Sequence, residues 1–88
     1  MSHYLLLTRS ITHAQRMAKQ LEQAGIPAQY LRPPLHLSTK GCGYAVRIGS
    51  RHLRTAAGIL AAQGLEPVRI FFAGENGVYQ EVSLPGRP

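Results

Sequence analysis

The stretch Leu21-Glu22-Gln23-Ala24-Gly25-Ile26-Pro27 has a counterpart in Leu60-Ala61-Ala62-Gln63-Gly64-Leu65-Glu66-Pro67, and the pair decides the fold. Each closes an apolar stripe with glycine, the residue that most readily takes the left-handed conformation at a helix end. Each then places a proline where a helix does not continue. Upstream of the first stop, Ala14, Met17, Ala18, Leu21 and Ala24 recur at spacings of three and four. Arg16, Lys19, Gln20 and Gln23 occupy the other side, so one helix face meets a core. Ser10 or Thr12 supplies the N-cap. Before the second stop, Leu53, Ala56, Ala57, Leu60 and Ala61 repeat the pattern, with Ser50 as the cap.

Strands flank both helices. Residues 3–8 form a short apolar run without helical periodicity, which reads as a buried strand. Residues 28–32 form a second strand, with Ala28 and Tyr30 on one face and Gln29 and Leu31 on the other. Pro33-Pro34 ends it, because proline cannot donate to a ladder. A loop from Leu35 to Gly41 leads to a third strand over 44–48, with Tyr44, Val46 and Ile48 opposite Ala45 and Arg47. Residues 68–72 make the fourth strand. Glu75-Asn76-Gly77 predicts a type I′ hairpin turn, followed by an edge strand over 78–82. The order β-α-β-β-α-β predicts an α+β, ferredoxin-like two-layer sandwich with an extra C-terminal edge strand. It is read as a single domain over residues 1–83 with a disordered tail over 84–88. Both helices lie on one sheet face. The other face is left open, with Phe71 or Phe72 on it, which predicts a homodimer through that face.

Composition narrows the function. Eighty-eight residues suffice for one domain and leave little room for an enclosed substrate pocket. One cysteine allows no disulfide within the chain. With no secretory pattern, it predicts a reducing, cytoplasmic setting. The apolar run Tyr4–Leu7 is far too short to span a bilayer. Ten Lys and Arg against four Asp and Glu give a net charge of +6, which favours an acidic partner: nucleic acid, protein or small anion.

The single thiol, Cys42, stands between Gly41 and Gly43 at a loop–strand junction. Lys40 lies two residues before it and Arg47 follows on the same strand; positive charge nearby favours the nucleophilic thiolate. Spacing alone equally allows a small buried packing residue, the usual fate of a lone cysteine. His3, His13, His36 and His52 are scattered without ligand spacing, so no metal or other cofactor is called for. A Cys-His-acid hydrolase is disfavoured: there is no Asp, and Glu22, Glu66, Glu75 and Glu81 show no pairing. A stand-alone enzyme is disfavoured accordingly. RNA-recognition domains share this element order, but Tyr4 and Tyr44 lack the surrounding aromatic motif, and core packing suits them better.

Several segments together resemble a known family: Tyr4-Leu5-Leu6-Leu7-Thr8, Ser10-Ile11-Thr12-His13-Ala14, Ala24-Gly25-Ile26-Pro27 and Pro34-Leu35-His36-Leu37-Ser38. With Gly41-Cys42-Gly43-Tyr44-Ala45-Val46-Arg47 they resemble the small bacterial selenium/sulfur (Se/S) carrier protein-like family over about residues 3–72. The resemblance implies a carrier or binding protein instead of an enzyme, one that holds sulfur or selenium on Cys42 as a persulfide or perselenide. Ser38, Thr39, Lys40, Gly41 and Gly43 would then be loop support. Its partners would be chalcogen donor and acceptor proteins, a cysteine desulfurase among them. Lys40-Gly41 departs from the Ser-Ser that commonly precedes Cys-Gly in the family, and adds a cation. Two other readings stand beside it: a ligand-binding regulatory dimer and, more weakly, a basic RNA-binding domain.

Overall fold

The computed structural model describes residues 2–37 and 43–83. The elements are β1 (His3–Thr8), α1 (Ile11–Gln23), β2 (Ala28–Leu31), β3 (Tyr44–Gly49), a 3-10 turn (Ser50–His52), α2 (Leu53–Ala62), β4 (Arg69–Ala73) and β5 (Tyr79–Val82). The five strands form one antiparallel sheet in the order β2-β3-β1-β4-β5. This α+β architecture is compatible with a ferredoxin-like sandwich, with β5 added at one edge. The tail, residues 84–88, lies outside the described residues.

Both helix stops form as their sequences predict. At the end of α1, Gly25 has φ +83°; its N–H donates to Glu22 O at 3.0 Å, and Ile26 N–H donates to Leu21 O at 2.9 Å. At the end of α2, Gly64 has φ +69°; its N–H donates to Ala61 O at 3.2 Å, and Leu65 N–H donates to Leu60 O at 2.8 Å. This pair of hydrogen bonds satisfies carbonyls that a helix end otherwise leaves unpaired, and a left-handed residue is required to make it. Leu21 with Ile26, and Leu60 with Leu65, pack into the same apolar cluster and seal each stop. Glu22 also accepts the Ala28 N–H at 2.8 Å, tying the end of α1 to β2.

At the helix starts the two halves diverge. Ser10 caps α1, accepting from His13 N–H at 3.0 Å, so Thr12 is inside the helix. Ser50 does not cap α2. It opens the 3-10 turn, and its hydroxyl pairs with the Ser2 hydroxyl at 2.7 Å. Nor is the β4–β5 connection a two-residue type I′ hairpin. Residues 74–78 form a five-residue loop, in which Gly77 N–H donates to Gly74 O at 3.1 Å. Asn76 Oδ1 accepts from Val78 N–H at 3.1 Å, so its side chain imitates a backbone turn instead of serving in a tight one.

The pleat sorts the sheet into two faces. Leu6, Val46, Ile48 and Ile70 meet Ala14, Met17 and Leu21 of α1 and Leu53, Ala56 and Leu60 of α2. Ala61, expected on that stripe, is exposed. Tyr4 and Tyr44 pack against this helix-side core, and the Tyr4 ring lies 5.2 Å from that of Phe72. The opposite face is not left open. Leu5, Leu7, Ala45 and Phe71 are buried there together with Leu37, which reaches back from the loop after β2. Phe71 and Phe72 therefore belong to different faces, and the predicted homodimer through an uncovered apolar face loses its premise.

Candidate functional site

The site is the β2–β3 loop, residues 32–43, and the sheet end to which it is pinned. Its stem is closed by the pairing of Leu31 with Ala45. Beyond that pair, the Arg32 guanidinium lies 4.9 Å from the centre of the Tyr44 ring, a cation–π contact across the mouth of the loop. Pro33 is buried. Pro34 to Leu37 then form a tight turn, with Leu37 N–H donating to Pro34 O at 2.9 Å. The turn is fastened to the sheet twice. Leu37 sinks among Leu5, Leu7, Ala45 and Phe71, and the His36 ring meets Tyr79 of β5 edge-on at 6.1 Å. Burying a leucine of this kind contributes roughly 1.5–3 kcal/mol, which helps offset the cost of closing a loop of this length. Leu35, between the fastened residues, is 91% exposed.

Five residues join Leu37 to Gly43. Ser38, Thr39, Lys40, Gly41 and Cys42, all named as site residues by the sequence, lie outside the described residues. Gly43, the sixth loop residue named, is described. It stands half-buried at the head of β3, and a Cβ built on it would meet nothing within 4 Å among the described residues. Neither a close approach nor a positive φ demands glycine there.

The neighbourhood of Gly43 is set by the register. Tyr44 pairs with Thr8, the last residue of β1, and Ser10 caps α1 two residues later. The covalent neighbour of Cys42 thus sits at the sheet end where α1 begins, the end carrying the positive pole of a 13-residue helix with no acid in its first turn. Arg9 is exposed at the same corner. The Thr8 hydroxyl is fully buried there with no hydrogen-bond partner among the described residues. The wider charge is one-sided: no acid occurs between Glu22 and Glu66, while Arg32, Lys40, Arg47, Arg51 and Arg54 do.

Arg47 is not part of this corner. It lies four residues along β3 from Gly43, about 13 Å in an extended strand, on the back face and toward the opposite sheet end. There it is close to His3. Burial first, then the field of Arg47 and of the amino terminus, hold the His3 imidazole below its ordinary pKa. On β4 and β5, Arg69 forks onto Glu81 at 2.8 and 3.0 Å, and this bond holds the Glu81 carboxyl below the usual range. The pair is substantially exposed and serves the edge strand rather than the site.

Among the described residues no three His, Cys, Asp or Glu side chains gather as a metal would require, and no helix is long and apolar enough to cross a membrane. Sequence reasoning missed Leu37, His36 and Arg32 as the fastenings of the loop. No local signal separates them: Leu35 and Leu37 stand two residues apart in a segment read only as a connector, yet one is exposed and the other buried.

Compared with known families, residues 3–71 match the model described as "Putative Se/S carrier protein-like". The match covers both helices, the first three strands, the start of β4 and the whole β2–β3 loop. The chain belongs to this family. No curated protein and no solved structure matches it.

Proposed function

We propose that this family member carries sulfane sulfur or selenium on Cys42, between a donor such as a cysteine desulfurase and an acceptor protein. The observation that supports it most is that the family match spans the chain's single thiol. Loading would proceed by attack of the Cys42 thiolate on the terminal sulfur of a donor persulfide. The donor's S–S bond breaks, its thiolate leaves, and Cys42 keeps the transferred sulfur as a persulfide. No external oxidant is needed, because the donated atom is already at the sulfane level.

Three features favour this chemistry. A thiolate is stabilised by nearby cations and by a helix N-terminus, and the sheet end holding Gly43 carries Arg9 and the start of α1. Gly41 and Gly43 flank Cys42 and leave it without bulky neighbours in sequence, and Lys40 adds a cation two residues before it. Leu37 is buried on the sheet and Gly43 leads into β3, so only five residues separate two fixed points of the fold. Such a carrier works in a reducing cytoplasm. An RNA-binding reading loses ground, because Tyr4 and Tyr44 turn toward the helices, which leaves His3 as the one ring of β1 and β3 on the back face among the described residues. Alkylation of the native protein tests the reading. Cys42 should react with iodoacetamide at a rate close to that of the urea-unfolded chain; a thiol inert until unfolding would overturn the proposal.

A further inference from the structure

Arg47 is left unexplained by the loop site, and its surroundings are those of a second site. At the sheet end away from Gly43, a shallow recess is lined by Ser2, His3, Glu22, Gln29, Arg47 and Gly49, with apolar neighbours. Gln29 and Arg47 are register partners on β2 and β3, and His3 stands on β1 two residues from Leu5, which pairs with Arg47. Three polar side chains from adjacent strands thus share the back face. The Arg47 side chain is exposed and has no carboxylate within ion-pairing distance among the described residues. His3 is more unusual. Its Nδ1 is buried with no hydrogen-bond partner among the described residues, although buried polar atoms are ordinarily paired. Glu22, the acid on the wall, already engages the Ala28 N–H through Oε2.

We propose that this recess binds a small anion, a tetrahedral oxyanion or a carboxylate, with Arg47 as the principal contact and Gln29 and His3 as flanking donors. The planar guanidinium presents two parallel N–H groups to such a ligand, and a neutral amide and an imidazole complete the donor set. The site is independent of Cys42 and of the carrier reading. Charge links it to protons. A bound anion beside His3 favours the imidazolium form, so binding tightens as the pH falls through the histidine range. The Tyr79 phenol from β5 meets that ring edge-on, Arg47 from β3 and the amino-terminal charge act on it through their fields, and Glu22 from α1 shares the recess wall.

The test is a titration of the intact protein with sulfate, whose charge is constant near neutrality. It is followed by NMR at constant ionic strength, with acetate in parallel to separate oxyanion from carboxylate preference. Saturable shifts are expected at His3, Gln29 and Arg47. The dissociation constant should rise at least about tenfold in Arg47→Gln. The tightening between pH 7.5 and pH 6 should vanish in His3→Gln. Shifts that rise linearly without saturation for both anions, that spread over the whole basic surface, or that survive Arg47→Gln unchanged would overturn the proposal.

Discussion

Leu35 and Leu37 stand two residues apart in one turn, and their environments are opposite: Leu35 is 91% exposed and Leu37 is 5% exposed. Leu37→Ala should therefore destabilise the fold by about 2–4 kcal/mol, since it opens a cavity against Leu5, Leu7 and Phe71. Leu35→Ser should change stability by less than about 0.5 kcal/mol. Urea denaturation of the two variants checks the contrast; equal effects would mean that Leu37 does not hold the loop to the sheet. His3 gives a pH effect with a definite sign. Its folded pKa lies below the ordinary 6.5, so between those two values the unfolded chain binds more protons. The neutral ring's contribution is complete above about pH 6.5 and is lost as the pH falls below it. The stability of His3→Gln relative to the native chain should accordingly improve on acidification from pH 7.5 to pH 5.5, as read from urea midpoints. Neither residue announces its role in the sequence. A loop leucine carries no periodicity to mark it as core, and the burial of His3 depends on strands distant in sequence.

Among the elements, the helix ends were the most legible, because a helix stop is local chemistry written in adjacent residues. Gly25 and Gly64 both have positive φ, and an added Cβ would meet nothing within 4 Å at either. Substitution there is opposed by backbone conformation and not by packing. Gly64→Ala should cost about 1 kcal/mol. Gly43→Ala, where φ is not positive and the space is open, should leave the thermal midpoint unchanged. A matching loss at Gly43 would show that the head of β3 is constrained in a way its described surroundings do not require. Strand faces were legible for the same local reason: alternation alone separates Tyr44, Val46 and Ile48 from Ala45 and Arg47. The errors fell where a side chain had a competing partner. Ser50 pairs with Ser2, forty-eight residues away, instead of capping α2. Asn76 bonds forward to Val78 and stretches the expected two-residue turn into five.

For the whole molecule, the two halves build one sheet with a helix layer on one face and a single loop fastened across the other. That arrangement could not be read from the sequence, since among the described residues the covering of the back face draws on Leu37, in a segment without regular structure, with Leu31 and Tyr79 packed beside it. It also separates two places that sequence reasoning had merged. The thiol's covalent neighbour Gly43 lies at the end where α1 begins, and Arg47 lies toward the other end beside His3. The candidate site was legible to the extent that the only cysteine, its glycine neighbours and the family motif point to one loop. The residues that hold that loop were not. The central claim is chalcogen carriage on Cys42, and intact-mass measurement tests it most directly. After incubation with a cysteine desulfurase and cysteine, the native chain should gain the mass of one sulfur, a gain removed by reductant and absent from Cys42→Ser. An unchanged mass, or an adduct that persists in Cys42→Ser, would contradict the account.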